Sequence, residues 1–478
     1  MKYEIVIGLE IHAELSTKSK IFCGCTTEFG GEPNTHCCPV CTSMPGTLPV
    51  MNEKVIEYAA KAGLAMNCSI ANFSKMDRKN YFYPDLPKAY QISQFDLPIC
   101  SNGFVEIDSA GENKTIGITR IHMEEDAGKL LHDEWGKSSL VDYNRCGVPL
   151  IEIVSEPDMR SPQEARDFAE KVRSILQYVD VSDCRMQEGS LRADVNLSVR
   201  PAGSEEFGTR TEMKNLNSFR SIFRAAEAEA KRQIRLIEEG GTVIQETRRW
   251  DDDAGKSHSM RTKEEAHDYR YFPEPDLVPI ELSDERINNI KESLPEMPWE
   301  RFERYTKDMG IPEYDAGLIT ASVRTADFFE QAVSAGADPK TASNWIMGDL
   351  MKLMKEIDTE EIPFSGEDLA ELIHLIKDGR ISNNIGSKVI EKMFRTGRKA
   401  VTIVKEEGLE VVSDEGALEA IVDKVISANE KSVSDYLSGK KKAIGFLMGQ
   451  IMKETRGKAN PGVVNKILLK KLDSIGDM

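Results

Sequence analysis

The stretch Tyr3-Glu4-Ile5-Val6-Ile7-Gly8-Leu9-Glu10-Ile11-His12-Ala13-Glu14-Leu15 sets the reading of the whole chain. Ile5, Ile7, Leu9, Ile11 and Ala13 alternate with Glu4, Val6, Gly8, Glu10, His12 and Glu14. A period of two marks a strand, whose successive side chains face opposite ways. One row belongs to a core. The other presents Glu10, His12 and Glu14, with Gly8 leaving space beside them. Two carboxylates flanking an imidazole suit a hard divalent cation, although a half-exposed strand with a wet polar side has the same pattern.

Further strands repeat the motif. In Ile118-Thr119-Arg120-Ile121-His122-Met123-Glu124-Glu125-Asp126, one row holds Arg120, His122, Glu124 and Asp126. The other holds Thr119, Ile121, Met123 and Glu125, so Glu125 is the odd member of an otherwise apolar row. A carboxylate is rarely buried unless paired or metal-bound, and a strand end or bulge that returns it to water is the alternative. Leu191 to Arg200 alternates again, with Arg192, Asp194, Asn196 and Arg200 together, and Glu212 and Lys214 share a face in the next such segment. Three strands with charged polar faces point to an active cleft rather than wet surface. Glu14 gains no partner from this reading and is left as solvated.

Cys23-Gly24-Cys25 and Cys37-Cys38-Pro39-Val40-Cys41 place thiols on two tight turns, the arrangement of a closed tetrahedral zinc site, with buried free thiols as the alternative. The spacing favours Cys23, Cys25, Cys38 and Cys41, with Cys37 adjacent. Met76 to Gln94 contains two prolines and mixes Arg and Lys with Tyr81, Tyr83 and Tyr90, which predicts an irregular ligand-contacting loop, with a loop merely packed onto a core as the alternative. Val50 to Asn67 reads as a helix, Ser161-Pro162-Gln163-Glu164 as the capping box of another, and Ser218 to Glu239 as a third. From Asp284 onward the period is helical, with a linker at Leu294 to Pro298 and a break near Glu407-Gly408.

The expected fold is α+β and multidomain. A cradle with a mixed or antiparallel sheet spans residues 1–292, a helical domain 293–405, and a small helical tail 406–478. The net charge of −18 argues against wholesale coating of nucleic acid. The basic residues are unevenly placed: Lys431 to Met478 carries ten Lys and Arg against four Asp and Glu, including Lys440-Lys441-Lys442 and the segment Arg456 to Pro461. That end could contact a polyanion or be a solvated helical face. With no signal-peptide pattern and no apolar run near the roughly 20 residues that span a bilayer, a cytoplasmic location without membrane contact is expected. The residues alone indicate a metal-dependent transferase or hydrolase acting on an anionic substrate, without the common Gly-rich phosphate loops.

The opening strand, the cysteine set, Tyr81 to Lys88, Arg120 to Lys129 and Leu191 to Asn196 together resemble the B subunits of aspartyl/glutamyl-tRNA amidotransferases, essentially end to end. The resemblance implies a ligase that uses ATP and Mg²⁺ to phosphorylate the side-chain carboxylate of Glu misattached to tRNA(Gln), or Asp misattached to tRNA(Asn), before ammonia forms the amide. It implies Mg²⁺ ligands at Glu10, His12, Glu124, Glu125 and Asp194, with Arg192, Glu212 and Lys214 contacting or orienting phosphate. Tyr81, Lys88 and Tyr90 fall near the nucleotide or the tRNA acceptor end. It also implies structural Zn²⁺ and a YqeY-like, tRNA-contacting tail. No Ser-Ser-Lys amidase signature occurs here, so the expected partners are a separate glutaminase, the family's A subunit, together with its small C subunit. Competing readings are a non-catalytic tRNA-binding scaffold and a metal-dependent kinase or hydrolase of a small anionic metabolite.

Overall fold

The computed structural model describes residues 2–132, 138–262, 269–357, 359, 361–410, 415–438, 440, 442–455, 459 and 461–476. Two compact units divide at Pro295/Glu296. Among the described residues of the first, nine strands form one mixed sheet. Their order is Lys256–Thr262, Glu246–Asp251, Thr211–Leu216, Leu191–Pro201, Tyr3–Glu14, Pro149–Ser155, Glu112–Glu125, Cys100–Ser109 and Ser69–Ile70. Every pairing is antiparallel except that of Thr211–Leu216 with Glu246–Asp251.

The opening strand lies inside this sheet, and its alternation is the reason. Ile7, Leu9, Ile11 and Ala13 are buried almost completely, and helices Glu53–Ala65, Pro162–Tyr178 and Phe219–Glu238 pack against the sheet strands. The second helix starts where its sequence requires: Ser161 Oγ accepts from the Glu164 N–H at 3.2 Å. Glu164 Oε2 accepts from the Arg160 N–H at 2.8 Å.

Met76 to Gln94 differs from the expected irregular loop. Asp77–Asn80 and Tyr90–Ser93 pair as a hairpin, joined by Phe272–Pro273 in a three-stranded sheet. Pro84 and Pro87 lie in the connection, where they remove no ladder hydrogen bond.

The second unit is helical and has two cores. Tyr305, Phe329, Trp345, Leu369 and Ile390 centre the first, within helices running from Pro298–Lys307 to Ala400–Glu406. Leu418, Val422, Leu447, Leu468 and Leu472 centre the second, within Glu415–Ala428, Glu430–Leu437, Ala443–Glu454 and Pro461–Gly476. Of the basic tail segments, Lys441, Arg456, Gly457, Lys458 and Asn460 lie outside the described residues. No described helix is long and apolar enough to cross a membrane.

Candidate active site and cysteine cluster

Antiparallel pairing sets residues opposite one another on a shared face. Glu10 lies opposite Asp194, and Glu212 follows on the next strand, opposite Asn196. One ligand atom from each of Glu10, Asp194 and Glu212 falls within 4.8 Å of the others. Lys214 pairs with Asp194, and its Nζ lies 3.2 Å from Glu212 Oε1. Burial opposes its charge, but those carboxylates outweigh burial and raise the Lys214 pKa. Thr247 Oγ1 donates to Glu212 Oε2 at 2.8 Å, and Asn196 Nδ2 donates to Glu10 Oε1 at 2.9 Å.

Two residues further along the opening strand, His12 faces Glu152, which in turn lies opposite His122. His12, Glu124 and Glu152 form a second group of converging donors. Burial pushes the His12 pKa down, yet Glu152 and then Glu124 outweigh it and raise the pKa to about 9. Burial would raise the Glu152 pKa, but His122 and His12 hold it well below the usual carboxylate range.

A third cluster follows on the same face. Arg192 Nη2 donates to Asp126 Oδ2 at 2.6 Å, and Arg145 Nε lies 3.4 Å from that oxygen. Glu14 joins them: burial first, then the Asp126 charge, raises its pKa to about 8. Arg192 and Arg145 prevail over burial and hold Asp126 low. Glu14 is therefore one half of a carboxyl pair, not the solvated residue that the sequence suggests. Arg192, expected at phosphate, has its guanidinium engaged with Asp126.

Glu125 lies apart from the other residues of the expected ligand set. It is 1% exposed and lies on the face away from Glu124, as its row demands. Lys88 Nζ lies 2.7 Å from Glu125 Oε2, the Ile92 N–H donates to Oε1 at 2.9 Å, and Gln91 Nε2 donates to the Glu125 carbonyl at 2.8 Å. Glu125 thus fixes Tyr90–Ser93 to the main sheet, and Lys88 is its counter-ion. The Tyr90 ring faces the Arg78 guanidinium at 4.3 Å, which is itself paired with Glu274 at 2.7 Å.

Tyr81 packs edge-on against Tyr269, with ring centroids 6.1 Å apart, and burial pushes its pKa up to about 12. Beside it, Lys79 lies 5.0 Å from the Tyr269 ring. Burial opposes the Lys79 charge, but Tyr271, Glu124 and Glu152 hold its pKa up. Lys79, Glu152, Glu14 and Asp126 are the members that sequence reasoning left out of the site. Glu152 had a readable signal: it is the single charge within Leu150-Ile151-Glu152-Ile153-Val154.

Sulfurs of Cys23, Cys25, Cys38 and Cys41 lie within 4.8 Å of one another. Cys37 Sγ instead donates to the Asn34 carbonyl at 3.2 Å. Hydrogen bonding from Cys23 pulls the Cys41 thiol down to about 4, helped by the Cys38 N–H at 3.1 Å and the buried Lys20 ammonium at 3.7 Å. Four sulfurs converging around a thiolate can hold a metal, and no polar substrate group is part of the set.

Residues 5–288 match the family described as "GatB/GatE catalytic domain", and residues 327–472 match "GatB domain". The B subunit of the aspartyl/glutamyl-tRNA(Asn/Gln) amidotransferase of Caldicellulosiruptor bescii is 62% identical over 480 residues, covering 99% of this chain and 100% of the relative. The protein of the same name from Thermoanaerobacter sp. (strain X514) is 62% identical over 474 residues, with 99% and 100% covered. That of Moorella thermoacetica is 57% identical over 476 residues, with the same coverage.

Proposed function

We infer, because the chain belongs to the GatB/GatE family of aspartyl/glutamyl-tRNA(Asn/Gln) amidotransferase B subunits, that it is the subunit in which Glu on tRNA(Gln), Asp on tRNA(Asn), or both are amidated at the expense of ATP. The observation that carries the residue assignment is the pair of cation-fitting groups, Glu10/Asp194/Glu212 and His12/Glu124/Glu152, on one sheet face. Oxygen-rich donor sets of this kind suit magnesium, which takes oxygen ligands and leaves positions for phosphate. When bound, magnesium supplies positive charge where a carboxylate and a triphosphate must approach each other.

A carboxylate is a poor acyl donor. One of its oxygens attacks the γ-phosphorus of ATP, the bond to the bridging oxygen breaks, and ADP leaves. Ammonia nitrogen then attacks the acyl carbon, and phosphate departs as the amide forms, with the surplus proton passing to solvent. Lys214 screens Asp194 and Glu212 from each other. Lys79 sets a cation before Glu124 and Glu152, where an anionic substrate would otherwise be repelled. His12 Nε2 lies 3.4 Å from Glu152 Oε2, and these two with Glu124 would hold a cation there. Asp126 and Arg192 orient the strand ends around the site rather than touching phosphate. Tyr81 frames Lys79, while Lys88 and Tyr90 support the hairpin beside it.

The cysteine set fits structural zinc, since it closes on itself with four sulfurs. The B-subunit name of the relatives implies further subunits and tRNA. A glutaminase, the A subunit, supplies ammonia; a small C subunit rounds out the assembly; and the helical tail from residue 406 contacts tRNA through its basic end, Lys431 to Met478. ADP release by the assembled complex tests the reading: it rises with Glu-tRNA(Gln) over uncharged tRNA and collapses in Glu10→Gln. Equal release with charged and uncharged tRNA would contradict it.

A further inference from the structure

Tyr143-Asn144-Arg145-Cys146 runs between the cysteine cluster and the catalytic face, and its side chains alternate between the two. Asn144 and Cys146 reach the cluster. Asn144 Oδ1 accepts from the His36 N–H at 2.8 Å, and its Nδ2 donates to the Glu32 carbonyl at 2.7 Å. Cys146 Sγ donates to the Cys41 carbonyl at 3.3 Å. Tyr143 and Arg145 reach the other way. The Tyr143 hydroxyl donates to the Pro84 carbonyl at 3.0 Å, in the connection that carries Tyr81 and Lys88. Arg145 donates from Nε to the Ala127 carbonyl and from Nη2 to that of Gly128, both at 3.0 Å, and its Nε lies 3.4 Å from Asp126 Oδ2.

The loop between the two cysteine pairs reaches back with the same device. Asn34 Oδ1 accepts from the Tyr143 N–H at 2.8 Å, and its Nδ2 donates to the Val141 carbonyl at 3.0 Å. Each asparagine thus uses both halves of its amide on backbone of the other's segment. Asn34 does so from a left-handed backbone, φ +61°, which asparagine adopts more readily than most residues. Beneath this clasp, the fully buried Lys20 places Nζ 3.7 Å from Cys41 Sγ and 3.5 Å from the Tyr143 carbonyl.

Residues 143–148 form neither helix nor strand, so no ladder fixes them, and contacts on their two sides set where they lie. The exit is held as firmly as the clasp. The Gly147 N–H donates to the Asp126 carbonyl at 2.9 Å, the Asp126 N–H donates to the Val148 carbonyl at 2.8 Å, and the Gly147 carbonyl accepts from the Ile21 N–H at 2.9 Å. A displacement of the cysteine loop therefore reaches Asp126 through a short chain of hydrogen bonds.

We propose that residues 143–146 are a strap through which the cysteine cluster, when it holds zinc, sets the catalytic face, with Asn144 and Asn34 as positioning residues for amidation. Asn144 acts on the reaction through Arg145, which fixes Asp126 beside Arg192 and Glu14. Resting on the zinc and active-face readings given above, the strap gives the metal a task beyond folding its own loop.

Amide hydrogen exchange on the assembled complex tests the strap, with zinc content and steady-state ADP release measured alongside. Stripping zinc from wild type with a chelator is expected to raise exchange about tenfold in peptides spanning 125–128 and 143–148, while helix Phe219–Glu238 keeps its protection. Asn34→Gly keeps the left-handed backbone and deletes only the amide, and Asn144→Leu keeps the volume and deletes both bonds. Each variant is expected to retain zinc, to show the same raised exchange, and to lower kcat about tenfold with KM for ATP within about twofold, the mark of misplaced groups rather than lost binding. Chelation should then add little at 125–128, because the link is already cut.

Zinc-loaded wild type whose strap amides ignore chelation would overturn the proposal, as would variants with wild-type exchange and kcat. Loss of protection in helix Phe219–Glu238 on chelation would overturn it too, since the metal would then hold the whole fold. A wild-type complex without zinc contradicts the zinc reading, and the strap with it. Exchange that follows zinc in a complex lacking tRNA-dependent ADP release puts the failure in the catalytic reading and overturns the positioning role that depends on it.

Discussion

Glu152 Oε2 lies 3.4 Å from His12 Nε2 and 3.3 Å from His122 Nε2, so one carboxylate serves two imidazoles contributed by the strands on either side. Glu152→Gln preserves the shape but removes the charge that faces both rings. We expect tRNA-dependent ADP release to fall by about a hundredfold or more, the usual scale for one electrostatic group in a site. Steady-state assays on the assembled complex, with thermal unfolding as a fold control, check this. Turnover within about threefold of wild type would remove Glu152 from the site.

The pair Lys88–Glu125 predicts a stability effect. Both side chains are largely buried, so Glu125→Gln leaves the Lys88 ammonium without its counter-charge. Breaking such a pair on one side costs about 3–5 kcal/mol. Denaturant unfolding should show that loss. Lys88→Met combined with Glu125→Leu should recover much of it, because no buried charge remains unpaired. A double variant as unstable as the single one would contradict this.

Glu14 and Asp126 give a pH signature. The Glu14 carboxyl is raised from 4.5 to about 8 in the folded chain, so between those values the folded state binds a proton that the unfolded state has released. Its favourable contribution is complete below the unfolded value and is lost as pH rises through about 8. Glu14→Gln stays neutral throughout. Its melting temperature should therefore decline less than that of wild type, by a few degrees, between about pH 6 and about pH 9. Parallel declines would contradict the raised carboxyl.

In the cysteine cluster, Cys38→Ser should release bound zinc, whereas Cys37→Ser should retain it, because Cys37 Sγ turns to Asn34. Metal content after dialysis distinguishes the two. Zinc lost equally from both would move Cys37 into the ligand set.

Much of this architecture was legible where alternation is strict. Glu10, His12 and Asp194 stand on the face their period dictates, as does the apolar row beneath them. Periodicity puts Glu125 on the opposite row, while the family resemblance draws it towards the metal ligands; its carboxylate accepts from the Ile92 N–H on the neighbouring hairpin. Lys88 could not be found from spacing, because it reaches Glu125 from a hairpin 37 residues earlier. Asp126 and Glu14 meet only through the pairing of distant strands, so neither predicts the other locally. Lys79 was obscured by the proline-rich segment around it, which suggested a loop where a strand exists.

The most direct test of the site assignment is the stoichiometry of Mn²⁺, used as a Mg²⁺ surrogate, bound to the assembled complex. Two oxygen-rich groups on one face predict two sites attributable to this chain. One should be lost in Glu152→Gln and the other in Asp194→Asn, with both retained in Glu125→Gln. Loss of a site in Glu125→Gln, or unchanged binding in the other two variants, would contradict the assignment.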